Sequence, residues 1–348
     1  MKGWITVAIA LTSCIVGWTN DIGVSADRQT APVRTPPSPC NGFADEYQLP
    51  IDQFFYLGAH DATNPKRQGR DITDLLYDGV RWIDLKLCHS SDMQQLTTCP
   101  GSVTLHEFAD QVLDFARIEP EQVIIVHVST PEDASIDKAF EDTWDEVCKV
   151  HAERTEGTDE FVKRECPFIY THNKGGRWPS IGELVNYDPE MAQWQGDGEL
   201  VGVRSRIILT AAPSVAKGTT YFSKPFWRSS TTQDTERLKE HMHELCKTSG
   251  GIGLEAYADK QVDDIDGEAF DPVTWEEIIM SSAACNINGT PRDSRLSLIQ
   301  VDFYEKHMDY LLELQQRLVP MNYAKWKGDD YTVPPSKLVT LRRVKDEL

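Results

Sequence analysis

The sequence predicts an α/β fold: a single TIM-type (β/α) barrel, distorted or incomplete, with insertion loops. Three observations predict it. Apolar runs that read as strands alternate with runs of helical period. Residues 123–128 and 296–303 are apolar almost throughout, as in parallel strands covered on both faces. Ionisable side chains collect at the ends of such strands, at His60, Asp84 and Asp302, where a barrel gathers an active site.

The two ends of the chain address a compartment. Lys2 precedes an apolar run from Trp4 to Trp18, and Val24-Ser25-Ala26 offers small residues at signal-peptidase spacing. Residues 1–26 therefore read as a secretory signal peptide, too short with its flanks for a membrane span. Lys345-Asp346-Glu347-Leu348 reads as an endoplasmic-reticulum retrieval signal, which makes the KDEL receptor an expected partner. The expected location is the lumen, with no later apolar stretch long enough to span a bilayer. Residues 27–50, proline-rich at their start, are expected to be a flexible segment. The barrel is expected over residues 51–320 and a tail over 321–348.

Within the barrel the elements follow in order. Residues 54–60 read as a strand. Residues 71–77 read as a helix that Gly79 ends. Residues 80–87 form a strand with two faces: Arg81, Ile83, Leu85 and Leu87 on one, Trp82, Asp84, Lys86 and Cys88 on the other. Thr104 and Glu107 make a capping box, and Leu105, Phe108, Val112 and Phe115 follow at helical spacing until Pro120. Residues 123–128, 206–209 and 296–303 read as further strands. Residues 187–202 are polar and aperiodic, as in an insertion loop.

A formal net charge of −20 argues against nucleic acid and against tight docking on anionic lipid. No EF-hand loop is present. Of eight cysteines, Cys14 leaves with the signal peptide, and the odd remainder implies at least one unpaired thiol. No zinc spacing occurs, so disulfides are expected, with Cys88–Cys99 and Cys148–Cys166 as local pairs. Asn288-Gly289-Thr290 is a candidate glycosylation acceptor.

Three segments carry a resemblance. They are Gly58-Ala59-His60-Asp61-Ala62, Gly79-Val80-Arg81-Trp82-Ile83-Asp84-Leu85-Lys86, and Leu298-Ile299-Gln300-Val301-Asp302-Phe303. In this order they resemble the X-domain of phosphatidylinositol-specific phospholipases C, the PLC-like phosphodiesterases. The family pattern there is G-T-H-D-S, then G-V-R-x-x-D-x-R, then a strand ending V-x-x-D-F/Y. The resemblance implies a phosphoric diester hydrolase or lyase acting on a phospholipid, an inositol phosphate-containing lipid or a glycosylphosphatidylinositol-like molecule. It implies no cofactor and no metal. His60 takes the place of the general base and Asp302 of the aspartate that orients it. Asp61 and Asp84 match the other acids. Lys86 stands where bacterial members have arginine, keeping the charge without the bidentate fork. Arg81 of the same motif is the second cation expected at the substrate phosphate.

The chain also departs from that pattern. The family's second histidine, the acid, is replaced by Pro100 in Leu96-Thr97-Thr98-Cys99-Pro100-Gly101. His89, in Leu87-Cys88-His89-Ser90, is the expected substitute, and His127 the next candidate. His106 reads as a surface residue. Ser129 and Ala211 or Ala212 stand where inositol-gripping residues are expected. Residues 177–184, with Trp178-Pro179, resemble a family segment before the next strand. Two alternatives follow: an inactive barrel that binds a lipid headgroup or protein partner, and a metal-dependent glycerophosphodiesterase or sphingomyelinase D-like enzyme. The latter needs an E-x-D pair on the second strand, where this chain has Asp84-Leu85-Lys86.

Overall fold

The computed structural model describes residues 39–90, 95–99, 103–130, 136–154, 166–172, 176–186, 205–213, 215, 219–230, 240, 244–247, 250–256, 271–284, 286–287, 290–291 and 294–340. The expected signal peptide, insertion loop, glycosylation acceptor Asn288, Pro100 and the KDEL tetrapeptide lie outside those residues.

Eight parallel strands curl into an open barrel with helices around it. They are β1 (Tyr56–Ala59), β2 (Trp82–His89), β4 (Ile124–Ser129), β5 (Ile207–Ala211), β6 (Phe222–Ser223), β7 (Trp227–Ser230), β8 (Gly250–Ala256) and β11 (Ser294–Val301). The order across the sheet is β6-β5-β4-β2-β1-β11-β8-β7. A short β3 (Leu96–Thr98) adds antiparallel to the end of β2, and β9 (Asn286–Ile287) pairs separately with β10 (Thr290–Pro291).

Every residue of β1 is buried, as for a strand covered on both faces. Gly58 in its middle makes room for an aromatic interior. A Cβ there would sit 2.9 Å from the Trp82 ring and 3.1 Å from the Ile299 carbonyl. Trp82 stacks on His127 with centroids 5.7 Å apart, and Trp227 meets both rings edge-on. The edge between β6 and β7 is lined by rings instead of ladder bonds. His172 stacks on Trp178 at 3.8 Å, Trp178 meets Phe226 at 5.2 Å, and Phe226 meets Trp227 at 5.0 Å.

The described helices are α1 (Ile72–Tyr77), α2 (Leu105–Ile118), α3 (Asp137–Glu153), α4 (Ile181–Val185), α5 (Pro272–Ala284) and α6 (Tyr304–Lys327). Asp71 caps α1, and Gly79 at φ 102° turns the chain into β2. The Thr104–Glu107 capping box opens α2, which ends at Ile118 just before Pro120, as expected. No helix among the described residues is long and apolar enough to cross a membrane. Cys88–Cys99 and Cys148–Cys166 are both bonded, with Cα atoms 5.8 and 5.3 Å apart. Cys246 is disulfide-bonded as well, while Cys40 is a buried free thiol whose pKa burial pushes up to about 12.

Residues on either side of 51–320 are also buried. Cys40, Asn41 and Leu49 are buried. Asn41 accepts from the Val123 amide at 2.7 Å and donates to the Val123 carbonyl at 3.2 Å, pairing with the start of β4 as a strand would. At the other end, Asn322 is fully buried in α6 and donates to the carbonyls of Gln53 and Leu296. Val339, well past residue 320, is 5 % exposed. These buried amide side chains satisfy backbone groups beside β1 and β4 and within β11.

Asn41→Ala tests whether the segment before residue 51 contributes to the fold. It strips partners from two buried backbone groups and should cost about 1–3 kcal/mol, read as a lower urea midpoint. An unchanged midpoint would favour the flexible-segment reading.

Candidate active site

Strand register assembles the site. In the parallel β1–β11 pair, Ala59 lies opposite Val301, and the His60 amide donates to the Val301 carbonyl at 3.0 Å. His60 and Asp302 are the next residues on each strand, so they emerge side by side. On the other flank Ala59 lies opposite Ile83, which brings Asp84 to the same level. Three strands thus place three ionisable side chains at one barrel mouth.

His60 Nδ1 is 2.8 Å from Asp302 Oδ1. That carboxylate fixes the tautomer: Nδ1 carries the proton and donates, leaving Nε2 as an acceptor. Nε2 lies 3.8 Å from Asp84 Oδ2, too far for a direct hydrogen bond. Arg67 Nη1 donates to the other oxygen of Asp302 at 2.7 Å. Asp84 Oδ2 accepts from the Asp61 amide at 3.2 Å and from Gln300 Nε2 at 3.3 Å. Asp61, in a left-handed turn at φ 46°, accepts from Asn64 Nδ2 at 2.9 Å, while its Oδ1 is buried without a partner.

Burial raises the Asp84 pKa to about 6. His60 and the Asp61 amide oppose that rise; the Asp61 and Glu255 carboxylates add to it. Lys86 lies two residues farther along β2 on the same strand face, and among the described residues no carboxylate pairs with it. The mouth therefore combines an oriented imidazole, a carboxyl that holds its proton unusually long, and one uncommitted cation. Such a set can take a proton from a hydroxyl and meet an anion. No group of three or more His, Cys, Asp or Glu among the described residues is placed to hold a metal ion.

The barrel is similar in shape to bacterial phosphatidylinositol-specific phospholipases C. The enzyme from Listeria monocytogenes aligns over 78 % of this chain and 96 % of its own, at 13 % identity and a TM-score of 0.48. One from S. aureus aligns over 76 % and 91 %, at 12 % identity and 0.46. A calcium-dependent phosphoinositol-specific phospholipase C from a Gram-negative Pseudomonas aligns over 76 % and 93 %, at 10 % and 0.37. No protein-family model and no curated protein matches the chain. Likeness at this level concerns overall shape alone, so the chemistry has to come from the side chains themselves.

Three expected site residues lie elsewhere. Arg81 is at the start of β2, the opposite end of the barrel from the mouth. It is 3 % exposed and spends its guanidinium on Gln122 and on the carbonyls of Leu76 and Val80. It ties the turn before β2 to Gln122, just ahead of β4. His89 closes β2, opposite Leu96 of β3, and strand alternation puts it on the face away from Asp84 and Lys86. Neither an ion pair nor a hydrogen bond joins it to His60. His127 does point inward, but deep in the aromatic interior, bonded through Nδ1 to Thr210 Oγ1 at 3.0 Å. Burial lowers its pKa to about 4. His106 is exposed, as expected.

Sequence reasoning missed Arg67, Gln68, Gln300 and Glu255. Gln300 had a visible signal, a polar residue inside an apolar strand. Arg67 and Gln68 had none, because they sit in the polar run after His60. Gln68 donates to the carbonyls of both His60 and Val301 and accepts from the Tyr304 amide, stapling the two strand ends.

Asp84 makes the site a cost to stability. Its pKa of about 6 lies above the ordinary value near 4, so the folded chain holds that proton more tightly than the unfolded chain does. Stability is thus lost as pH rises through roughly 4 to 6 and stays lost above. Asp84→Asn should unfold later than wild type at pH 7, by up to about 3 kcal/mol, and match it near pH 4. A variant less stable at pH 7 would contradict the burial account.

Proposed function

We propose that this barrel cleaves a phosphodiester in a phospholipid or glycosylphosphatidylinositol-like molecule, using His60 as base and Lys86 as fixed cation. The observation that carries the reading is the His60–Asp302 hydrogen bond at 2.8 Å, made through Nδ1 at the end of β1. Nε2 removes the proton from an attacking hydroxyl, whose oxygen bonds to phosphorus as the opposite ester P–O bond breaks. Asp302 stabilises the imidazolium that forms. Lys86 offsets the charge that grows on the phosphoryl oxygens. Its place on the Asp84 face supports a mechanism in which a side chain supplies the positive charge that a divalent ion supplies elsewhere.

The leaving alkoxide needs a proton. Asp84, 3.8 Å from Nε2, stands on the base's side of the gap and holds the attacking oxygen better than it reaches the departing one. His89 faces away. The reading therefore expects turnover to depend steeply on the leaving group, with His89→Ala changing little. A lumenal setting goes with it. The apolar run at residues 4–18 and the Lys345–Leu348 tetrapeptide support that setting, and the two disulfides suit an oxidising compartment. A second reading is a barrel that binds a phosphorylated headgroup without cleaving it; Pro100, in the place of the family's second histidine, supports it.

Radiolabelled phosphatidylinositol, sphingomyelin and glycerophosphocholine, each with and without EDTA, separate these readings. The proposal expects one of them to be cleaved equally in both conditions, and His60→Ala to lose about 10²–10⁴-fold in rate. Loss in EDTA restored by calcium or magnesium points to metal-dependent chemistry. No cleavage, with calorimetric binding of inositol phosphate that Lys86→Ala abolishes, establishes the binding-only barrel.

A further inference from the structure

We propose that Arg67 is a positioning residue that sets the charge of the His60–Asp302 pair, sharing the carboxylate with the imidazole and weakening its hold on the ring's proton. The inference rests on the reading of His60 as base, although its test does not. Arg67 Nη1 lies 2.7 Å from Asp302 Oδ2 and His60 Nδ1 lies 2.8 Å from Asp302 Oδ1, so the two residues meet different oxygens of one carboxylate. Both charged residues are buried, Asp302 at 4 % exposure and Arg67 at 9 %.

Two physical consequences follow. A carboxylate this deep needs a cation to stay ionised, and a neutral imidazole is not one. Arg67 supplies one at 2.7 Å. The same guanidinium also opposes the attraction between the carboxylate and an imidazolium. A carboxylate that faced only the histidine would favour the protonated ring more strongly and leave less free base at a given pH.

The charges around the ring make Arg67 the main counterweight. Asp302 comes from the end of β11. Asp84 comes from β2, at 3.8 Å from Nε2. Asp61 follows His60 directly, and Glu255 of β8 lies close enough to Asp84 to raise its pKa. Among the described residues, the cations that the site's geometry places on the other side of the balance include Lys86 on β2 and Arg67. Arg67 is also well held: its carbonyl accepts from the Phe303 amide at 2.7 Å, and Gln68 beside it staples His60 to Val301. That arrangement separates two roles in adjacent residues. Gln68 fixes position without charge, and Arg67 adds charge.

The test is a pH titration of the His60 ring protons by NMR, assigned with His60→Ala, in wild type, Arg67→Gln, Arg67→Lys and Gln68→Met. Arg67→Gln should raise the titration midpoint by about one pH unit, the scale expected from an unshared carboxylate. Arg67→Lys keeps the charge and should stay within a few tenths of wild type. Gln68→Met should lower stability without a comparable shift. If a phosphodiester is cleaved, the acid limb of kcat/KM moves with the NMR midpoint. If none is cleaved, the proposed function fails while the titration still decides the role of Arg67. A folded Arg67→Gln variant with an unmoved midpoint overturns the proposal. So does Arg67→Lys shifting by a full unit, which keeps the test decisive if Arg67→Gln does not fold.

Discussion

The parallel pairing of the first and last barrel strands is the constraint on which the site depends. His60 and Asp302 are 242 residues apart in sequence, and they meet because Ala59 lies opposite Val301. A one-residue slip of β11 would turn Asp302 to the other face and remove the dyad. The chain invests in this register. Gln68 joins the two strand ends through three hydrogen bonds, and Asn322 ties α6 to Leu296 and to Gln53 just before β1. The last helix, the first strand and the loop after it thus fix the position of one imidazole.

The same mouth gathers more negative charge than a core would tolerate for packing alone. Asp61 leaves an oxygen buried without a partner, and Asp84 holds its proton to about pH 6. Both features lower stability, and neither helps the barrel to close. These features gather at one strand-end cluster, beside the histidine that Asp302 orients. The rest of the interior behaves differently. Trp82, His127 and Trp227 fill it with stacked and edge-on rings, and burial there keeps His127 neutral.

Much of this was legible in the sequence wherever one residue type carried one physical meaning. The Thr104–Glu107 box, the glycine at 79 and the apolar runs of β4 and β11 each named their element. Both local disulfides were readable from spacing. The failures also have physical causes. β8 begins Gly-Gly-Ile-Gly, a composition that reads as loop although its neighbours supply the packing that its glycines lack. Arg81 matches a motif, and the structure places it before β2, bonded to Gln122. Asn41 and Arg67 gave no local signal, since each acts through a partner more than 80 residues away.

A double-mutant cycle tests the central claim, that His60 and Asp302 act as one unit on a phosphodiester. The quantity is kcat/KM for His60→Ala, Asp302→Asn and the double variant on the substrate that the wild type cleaves. Residues that act together lose their effect once, so the double variant should be no slower than the slower single. Losses that multiply, or a wild type with no turnover at all, would contradict the account.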